Sequence, residues 1–352
     1  MVQRVFLLRD EQREMSRTRA IYGCAGLHLT VEEEAFFRDT CPFGFILFAR
    51  NIRDPDQVRA LVEQLRASAN SEQVVILIDQ EGGRVARLKP PYWQVHAPAA
   101  RFAELYATQI AAGCEAAYLN ARLIAQQLFD LGINVDCMPV LDVPIAGAHD
   151  IIGDRALGRA PVPIIDLGRQ VIQGLLDGGV LPVMKHIPGH GRALADSHVS
   201  LPKVTSAHDE LSTSDFLTFR KLCHCPMAMT AHVVYTDIDA NRPATTSARV
   251  IAQIIRGEIG FDGLLLSDDL SMQALEGSIS MRAADALSAG CDVVLHCNGD
   301  MAEMRDVAKQ AMALDGSSAR RAAEALAQLR IPSVFEVQRA HDRLRELMGI
   351  SA

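Results

Sequence analysis

The stretch KHIPGHGRALADSH, from Lys185 to His198, carries three histidines, a lysine and an aspartate within fourteen residues. Pro188, Gly189 and Gly191 break any helix here, so its chemistry must be done from a loop. Asp196 lies two residues before His198, close enough for a carboxylate–imidazole hydrogen bond. Such a bond fixes the tautomer and raises the basicity of the ring, which suits a general acid/base. An isolated DxH is otherwise a surface histidine. A metal site built from His186, His190, His198 and Asp196 is disfavoured, because the His-x3-His spacing binds metal from a helix. Lys185 and His186 fit the binding of an anion or of substrate hydroxyls. A rim lysine bonded to a neighbouring carboxylate is the competing reading.

Other segments carry groups of the same kind. In GLLLSDD, Asp268 leaves a buried apolar run and fits a nucleophile, the alternative being a loop or helix-cap carboxylate. Asp269 reads as supporting, since adjacent residues leaving a strand point to different sides. In DQEGGRVARL the glycines let the backbone approach a ligand. There Asp79 is placed to accept two sugar hydroxyls, and Arg87 either reaches inward or pairs with surface carboxylates. PVLDV contributes Asp142, IIGDRALGR contributes Asp154 and Arg155, and TAHV contributes His232, which reads as a core or rim histidine.

These groups need positioning elements, and the apolar runs supply them. IYGCAGL, GFILFA, QVVILID, INVDCMPVLD, LPVMKH, MAMTAHV, GLLLSD and DVVLHC are short, non-alternating and rich in Val, Ile, Leu and Met. That is the pattern of strands buried on both faces of a parallel sheet. Between them lie helical patterns. DPDQVRALVEQLRASA starts with Asp54 as N-cap and Pro55 in the first turn. The other helical patterns are TQIAAGCEAAYLNARLIAQQLFDLG, VPIIDLGRQVIQGLLDGG, SARVIAQIIRGEIG and ISMRAADALSAG. Eight strands alternating with helices predict a single-domain α/β protein, a (β/α)8 TIM-type barrel. No GxGxxG follows the first strand, which disfavours a doubly wound sheet. In a barrel the chemistry sits at the C-terminal ends of the strands, where every group named above falls. The segment from about residue 301 onward should be helical and pack outside the barrel.

Composition narrows the function classes. The 352 residues are 49% hydrophobic and 22% charged, with a formal net charge of −8 and no block of like charges. Nothing here favours nucleic-acid binding. The eight cysteines form no CxxC pair and several sit in apolar runs, which predicts reduced thiols and a reducing compartment. The apolar stretch near the N-terminus is too short for a secretory signal, and no run reaches membrane-spanning length. A cytoplasmic protein is expected.

Taken in order, DQEGGRVARL, GDRALG, KHIPGHGRALADSH, TAHV and SDDLSM resemble the β-N-acetylhexosaminidases of glycoside hydrolase family 3. The resemblance runs from about GLHLTVEEEAFF to DVVLHC. It implies Asp268 as catalytic nucleophile and His198 as general acid/base on a mobile loop, with Asp196 orienting it. Asp79, Arg87, Arg155, Lys185 and His186 match residues that hold the N-acetylglucosamine ring. Pro188, Gly189 and Gly191 are expected to let the chain turn and swing. Three positions depart from the family pattern: Ile187 replaces a phenylalanine, and Ala156 and Leu157 replace a serine and a phenylalanine. The implied reaction is retaining removal of a terminal β-N-acetylglucosamine from 1,6-anhydro-N-acetylmuramic acid, with or without peptide, in cell-wall recycling. No cofactor or metal is implied. The partner expected is this small glycan, with no nucleic acid and no membrane, and the chain is expected to act as a monomer. Residues 1–19 are expected to be an N-terminal extension, and residues 20–352 the catalytic barrel with its C-terminal helical segment. Two rivals are substrate-assisted hydrolysis using Asp268 and Asp269, and a non-catalytic sugar-binding barrel.

Overall fold

The computed structural model describes residues 17–69, 74–147, 149–193 and 201–350. Among them, eight parallel strands close into a barrel: β1 (Thr18–Gly23), β2 (Pro42–Leu47), β3 (Val75–Ile78), β4 (Val135–Asp136), β5 (Leu181–Ile187), β6 (Met227–Thr230), β7 (Leu264–Asp269) and β8 (Val293–His296). Each lies on one of the eight apolar runs, and sequence neighbours pair around the ring until β8 closes on β1. β1 begins at Thr18, inside the segment read as an extension. β4 is the shortest strand because cis-Pro139 follows and has no N–H for the ladder. The pairing to β5 resumes at Val140, opposite Lys185.

The two faces of the strands bury different cores. Ile21, Phe43, Leu77, Val135, Val183, Met227, Leu266 and Val293 fill the lumen, while Phe45, Ile76, Ile78, Met184, Ala228 and Leu265 face the helices. Helices α1 (Val31–Thr40), α2 (Pro55–Ser68), α3 (Ala99–Thr108), α4 (Ile110–Phe129) and α5 (Pro161–Asp177) cover the first part of the ring. Asp54 caps α2 by accepting the Gln57 N–H at 2.9 Å, with Pro55 as first residue, as the sequence predicts. The segment Val250–Glu258, read as an ordinary helix, is wound as a π-helix.

After α6 (Asp215–Lys221) and α7 (Ile279–Ala289), the C-terminal segment forms α8 (Met301–Ala308), α9 (Gly316–Leu326) and α10 (Val337–Leu347). It lies outside the strands, as expected, but α9 also closes one end of the lumen: Leu314, Ala322 and Ala325 belong to the lumen core. Asp292, at the start of β8, ties α9 down by accepting from Ser318 Oγ at 2.9 Å and pairing with Arg321 at 3.1 Å. With that end plugged, the opposite rim is left for the site. None of the described helices is long and apolar enough to cross a membrane. All eight cysteines are free thiols, five of them buried.

Candidate active site

At the C-terminal rim lies a pocket of about 290 Å³ lined by Asp79, Arg87, Arg155, Lys185, His186 and Asp268. Six of the eight residues named from the sequence therefore converge. The other two, Asp196 and His198, lie outside the described residues.

Lys185 is at the centre. Only 2% exposed, it donates from Nζ to Asp79 Oδ1 at 2.8 Å and contacts Glu81 Oε1 at 2.6 Å. Asp79 also accepts from Arg87 Nη2 at 3.0 Å, and Glu81 receives both arms of the Arg155 guanidinium at 2.8 Å. Burial opposes every charge in this cluster, yet mutual pairing outweighs it. Lys185 and Arg155 are held above their ordinary values and Asp79 below its own, while Glu81 is lowered to about 2. So the rim-lysine reading of Lys185 describes its contacts correctly, and those contacts lie in the pocket wall. Glu81 was not singled out from the sequence. A signal existed: Asp79 and Glu81 are two apart at a strand end and so share a side.

A second unit is built on Asp142, which is fully buried. It accepts from His186 Nδ1 at 2.7 Å, from His186 N at 3.2 Å and from His190 N at 2.6 Å. Nδ1 therefore carries the hydrogen, and the opposite ring nitrogen of His186 is left for the pocket. His190 also lines the pocket, and burial followed by repulsion from His186 lowers it to about 4, leaving a neutral ring at pH 7.

Asp268 stands across the pocket. Its Oδ1 accepts the Asp269 N–H at 2.8 Å, and it has no salt-bridge partner among the described residues. Burial would raise it, but His232, His186 and Lys185 together bring it below its ordinary value, so it is a carboxylate. Asp269 is committed elsewhere. Its Oδ1 accepts from Ser271 N and Cys297 N, at 3.0 and 3.1 Å, and its Oδ2 accepts from Ser271 Oγ at 2.5 Å. His232 is a satisfied core histidine: Nε2 donates to the Asp269 carbonyl at 3.0 Å and Nδ1 meets Thr245 Oγ1 at 2.7 Å.

Two β-bulges explain why neighbours in sequence can both line the pocket. β5 gains a residue on β6 between Lys185 and Ile187, and β7 gains one on β8 between Leu266 and Asp269. Lys185 with His186, and Asp268 with Asp269, all line the pocket. A bulge re-aims a side chain in this way, so the expectation that Asp269 points away from Asp268 is corrected.

The loops are strapped together. Arg84 donates to Asp154 Oδ1 at 2.8 Å and to the carbonyls of Asp150 and Ile151, joining the DQEGGR loop to the GDRALG loop. Ala156, Leu157 and Ile187 are all buried among apolar neighbours, so none of the three departures leaves a polar gap. The glycines read as hinges also have a packing role. A Cβ on Gly191 would lie 2.2 Å from the Val143 carbonyl oxygen, and one on Gly189 would lie 2.9 Å from Asp215 Cβ. Tyr235 donates to the Gly189 carbonyl at 2.5 Å, and His190 to Ala193 are buried or nearly so. These glycines serve close packing.

The comparisons with known proteins agree with this geometry. The profile described as Glycosyl hydrolase family 3 N terminal domain matches residues 25–330. A protein named beta-hexosaminidase from Alkalilimnicola ehrlichii is 38% identical over 280 residues, which is 78% of this chain and 79% of that protein. The crystal structure of NagZ from Neisseria gonorrhoeae in complex with N-trifluoroacetyl-D-glucosamine superposes with a TM-score of 0.84 at 30% identity, covering 96% of this chain and 98% of that one. A family 3 beta-N-acetylglucosaminidase from Paenibacillus sp. superposes with a TM-score of 0.80 at 28% identity, covering 97% of this chain and 63% of that one. With the profile spanning residues 25–330 and a relative 38% identical over 78% of the chain, the chain belongs to glycosyl hydrolase family 3.

Proposed function

We propose that the chain is a retaining exo-β-N-acetylglucosaminidase that removes terminal N-acetylglucosamine from 1,6-anhydro-N-acetylmuramic acid, with or without peptide. Its setting would be cell-wall recycling in the cytoplasm, with the chain acting as a monomer. The observation that carries this reading is a pocket with a carboxylate, Asp268, facing a cluster of fixed hydrogen-bonding groups. At about 290 Å³ the pocket suits one sugar ring, which fits an enzyme acting at a chain end. The Neisseria gonorrhoeae structure, which holds N-trifluoroacetyl-D-glucosamine, supports the same substrate class.

In this mechanism Asp79, Glu81, Arg87, Arg155, Lys185 and His186 bind and orient the ring. Asp268 attacks the anomeric carbon through an oxocarbenium-like transition state. The leaving oxygen takes a proton from His198, which Asp196 orients. His198 then deprotonates the water that releases the sugar. Retaining enzymes usually pair two carboxylates about 5–5.5 Å apart. A histidine does the second carboxylate's work here, since an imidazole with a reference pKa of about 6.5 exchanges protons at neutral pH. The three hydrogen bonds on Asp269 and the two on His232 speak against either as the acid/base.

The test is trapping with a 2-fluoro sugar bearing a good leaving group, followed by peptide mapping. A covalent adduct on Asp268, together with retained configuration by NMR, is expected. Inversion, or an adduct elsewhere, would remove Asp268 from its role. Asp268→Ala should lose more than about 90% of kcat while still binding the sugar, since a nucleophile acts mainly in the transition state.

A further inference from the structure

Behind the sugar-facing cluster lies a buried pair that this mechanism does not use. Asp136, on β4, is fully buried, and among the described residues no cation pairs with either of its oxygens. Its sequence neighbours Val135 and Cys137 belong to the lumen core, so by strand alternation Asp136 faces the helix layer. Oδ1 accepts the Gln80 N–H at 3.0 Å, and Oδ2 has no hydrogen-bond partner among the described residues. Gln80 is also buried, and its side chain closes a loop. Oε1 accepts the N–H of Arg87 at 2.8 Å and of Leu88 at 3.0 Å, and Nε2 donates to the Leu88 carbonyl at 3.2 Å. Those bonds return the chain to the strand end, where Arg87 reaches Asp79. Gln80 itself sits between Asp79 and Glu81, the two carboxylates that hold Lys185.

We propose that Asp136 and Gln80 form a proton-dependent latch on the sugar-binding loop: with Asp136 neutral the latch holds Asp79 and Arg87 in place, and with Asp136 ionised it opens and sugar affinity falls. Both are positioning residues, and the second half of the proposal rests on Asp79 and Arg87 binding the sugar. The physical cause is simple. A fully buried ionised carboxylate with one oxygen unsatisfied must find a cation or water. It can do so only by moving, and the Gln80 backbone moves with it. The charged and titratable groups acting on Asp136 are Lys185 from β5, Asp79 and Glu81 from the β3 loop, and the Cys137 thiol on its own strand. Burial dominates over the Gln80 hydrogen bond and Lys185, and raises the carboxyl from 3.8 to about 8.

Two measurements on the intact chain test the latch. The first needs no activity. Between pH 3.8 and about 8 the unfolded chain releases this proton and the folded chain keeps it. Wild type must therefore lose stability as pH rises through that window, and the loss must stop above it. Asp136→Asn lacks the titration, so its Tm should gain on wild type from pH 4 to pH 8 and run parallel beyond. A constant Tm difference would mean that Asp136 is ionised when folded, and would overturn the proposal. The second measurement is the pH profile of KM for an aryl N-acetyl-β-glucosaminide. Wild-type KM should rise about tenfold per pH unit above about 8, as loss of one proton requires, with kcat far less affected. Asp136→Asn should keep its KM flat there, and Gln80→Ala should show a raised KM at every pH. The same alkaline rise in wild type and Asp136→Asn would assign it to another group and sink the latch. If wild type binds and turns over no N-acetylglucosaminide, the functional reading fails, while the Tm series still decides the protonation.

Discussion

Among the described residues, Lys185 is the only cation that touches both Asp79 and Glu81. Removing it leaves two partly buried carboxylates, Asp79 with Arg87 and Glu81 with Arg155 as the remaining partner. Breaking a buried pair costs about 3–5 kcal/mol, so Lys185→Ala should lower Tm by several degrees and also raise KM. Destabilisation with unchanged affinity for N-acetylglucosamine would make Lys185 a structural strut only. His198 is tested through the leaving group. His198→Ala should lose far more rate on a disaccharide than on a dinitrophenyl glycoside, whose phenolate leaves without a proton. Azide should partly restore the second step. Equal losses on both substrates would leave His198 a binding residue. Most single residues were legible because each rim group ends an apolar run. Asp142 was visible at its strand end, but its grip on His186 was not, since it depends on the turn between His186 and His190.

At the scale of elements, the loop from Pro188 to Ala193 behaves as packing. Gly191 touches the backbone of Val143, the residue after Asp142. Gly191→Ala should push Val143 aside, and with it the carboxylate that holds His186. Overpacking of this kind costs about 1–3 kcal/mol. A lower Tm together with a raised KM is expected, and a variant with wild-type KM would show that His186 does not depend on this contact. The eight strands were legible because buried parallel strands read as unbroken apolar runs, and α2 because Asp54 and Pro55 mark its start. The start of α4 was also legible, within two residues, in TQIAAGCEAAYLNARLIAQQLFDLG, whereas α3 before it was not read. The π-helix was equally hidden: its extra residue per turn leaves the apolar spacing of SARVIAQIIRGEIG looking ordinary.

At the scale of the whole molecule, acid should act through the site. Asp79 and Glu81 are both lower when folded than when unfolded, so each contributes stability that is present above the unfolded value and lost below it. For Glu81 that loss runs from 4.5 down to about 2. The Tm of wild type should therefore drop steeply through this window, and the drop should be shallower in Lys185→Ala, whose carboxylates keep Arg87 and Arg155 but lose the cation they share. Parallel curves would place the acid sensitivity in surface pairs instead. The closure of the lumen by α9 was read only as outside packing, because a helix of small residues such as GSSARRAAEAL gives no sign of which end of a barrel it covers.

The two bulges set a rule for moving this chemistry. A regular strand offers the rim one side chain in every two, so a designer copying only residue identities onto another barrel would aim half of each pair at the helices. Lys185 with His186, and Asp268 with Asp269, are transplantable only together with the extra residue that each bulged strand carries against its neighbour. By the same reasoning, deleting the extra residue from either strand would turn one of that strand's two pocket groups toward the helices.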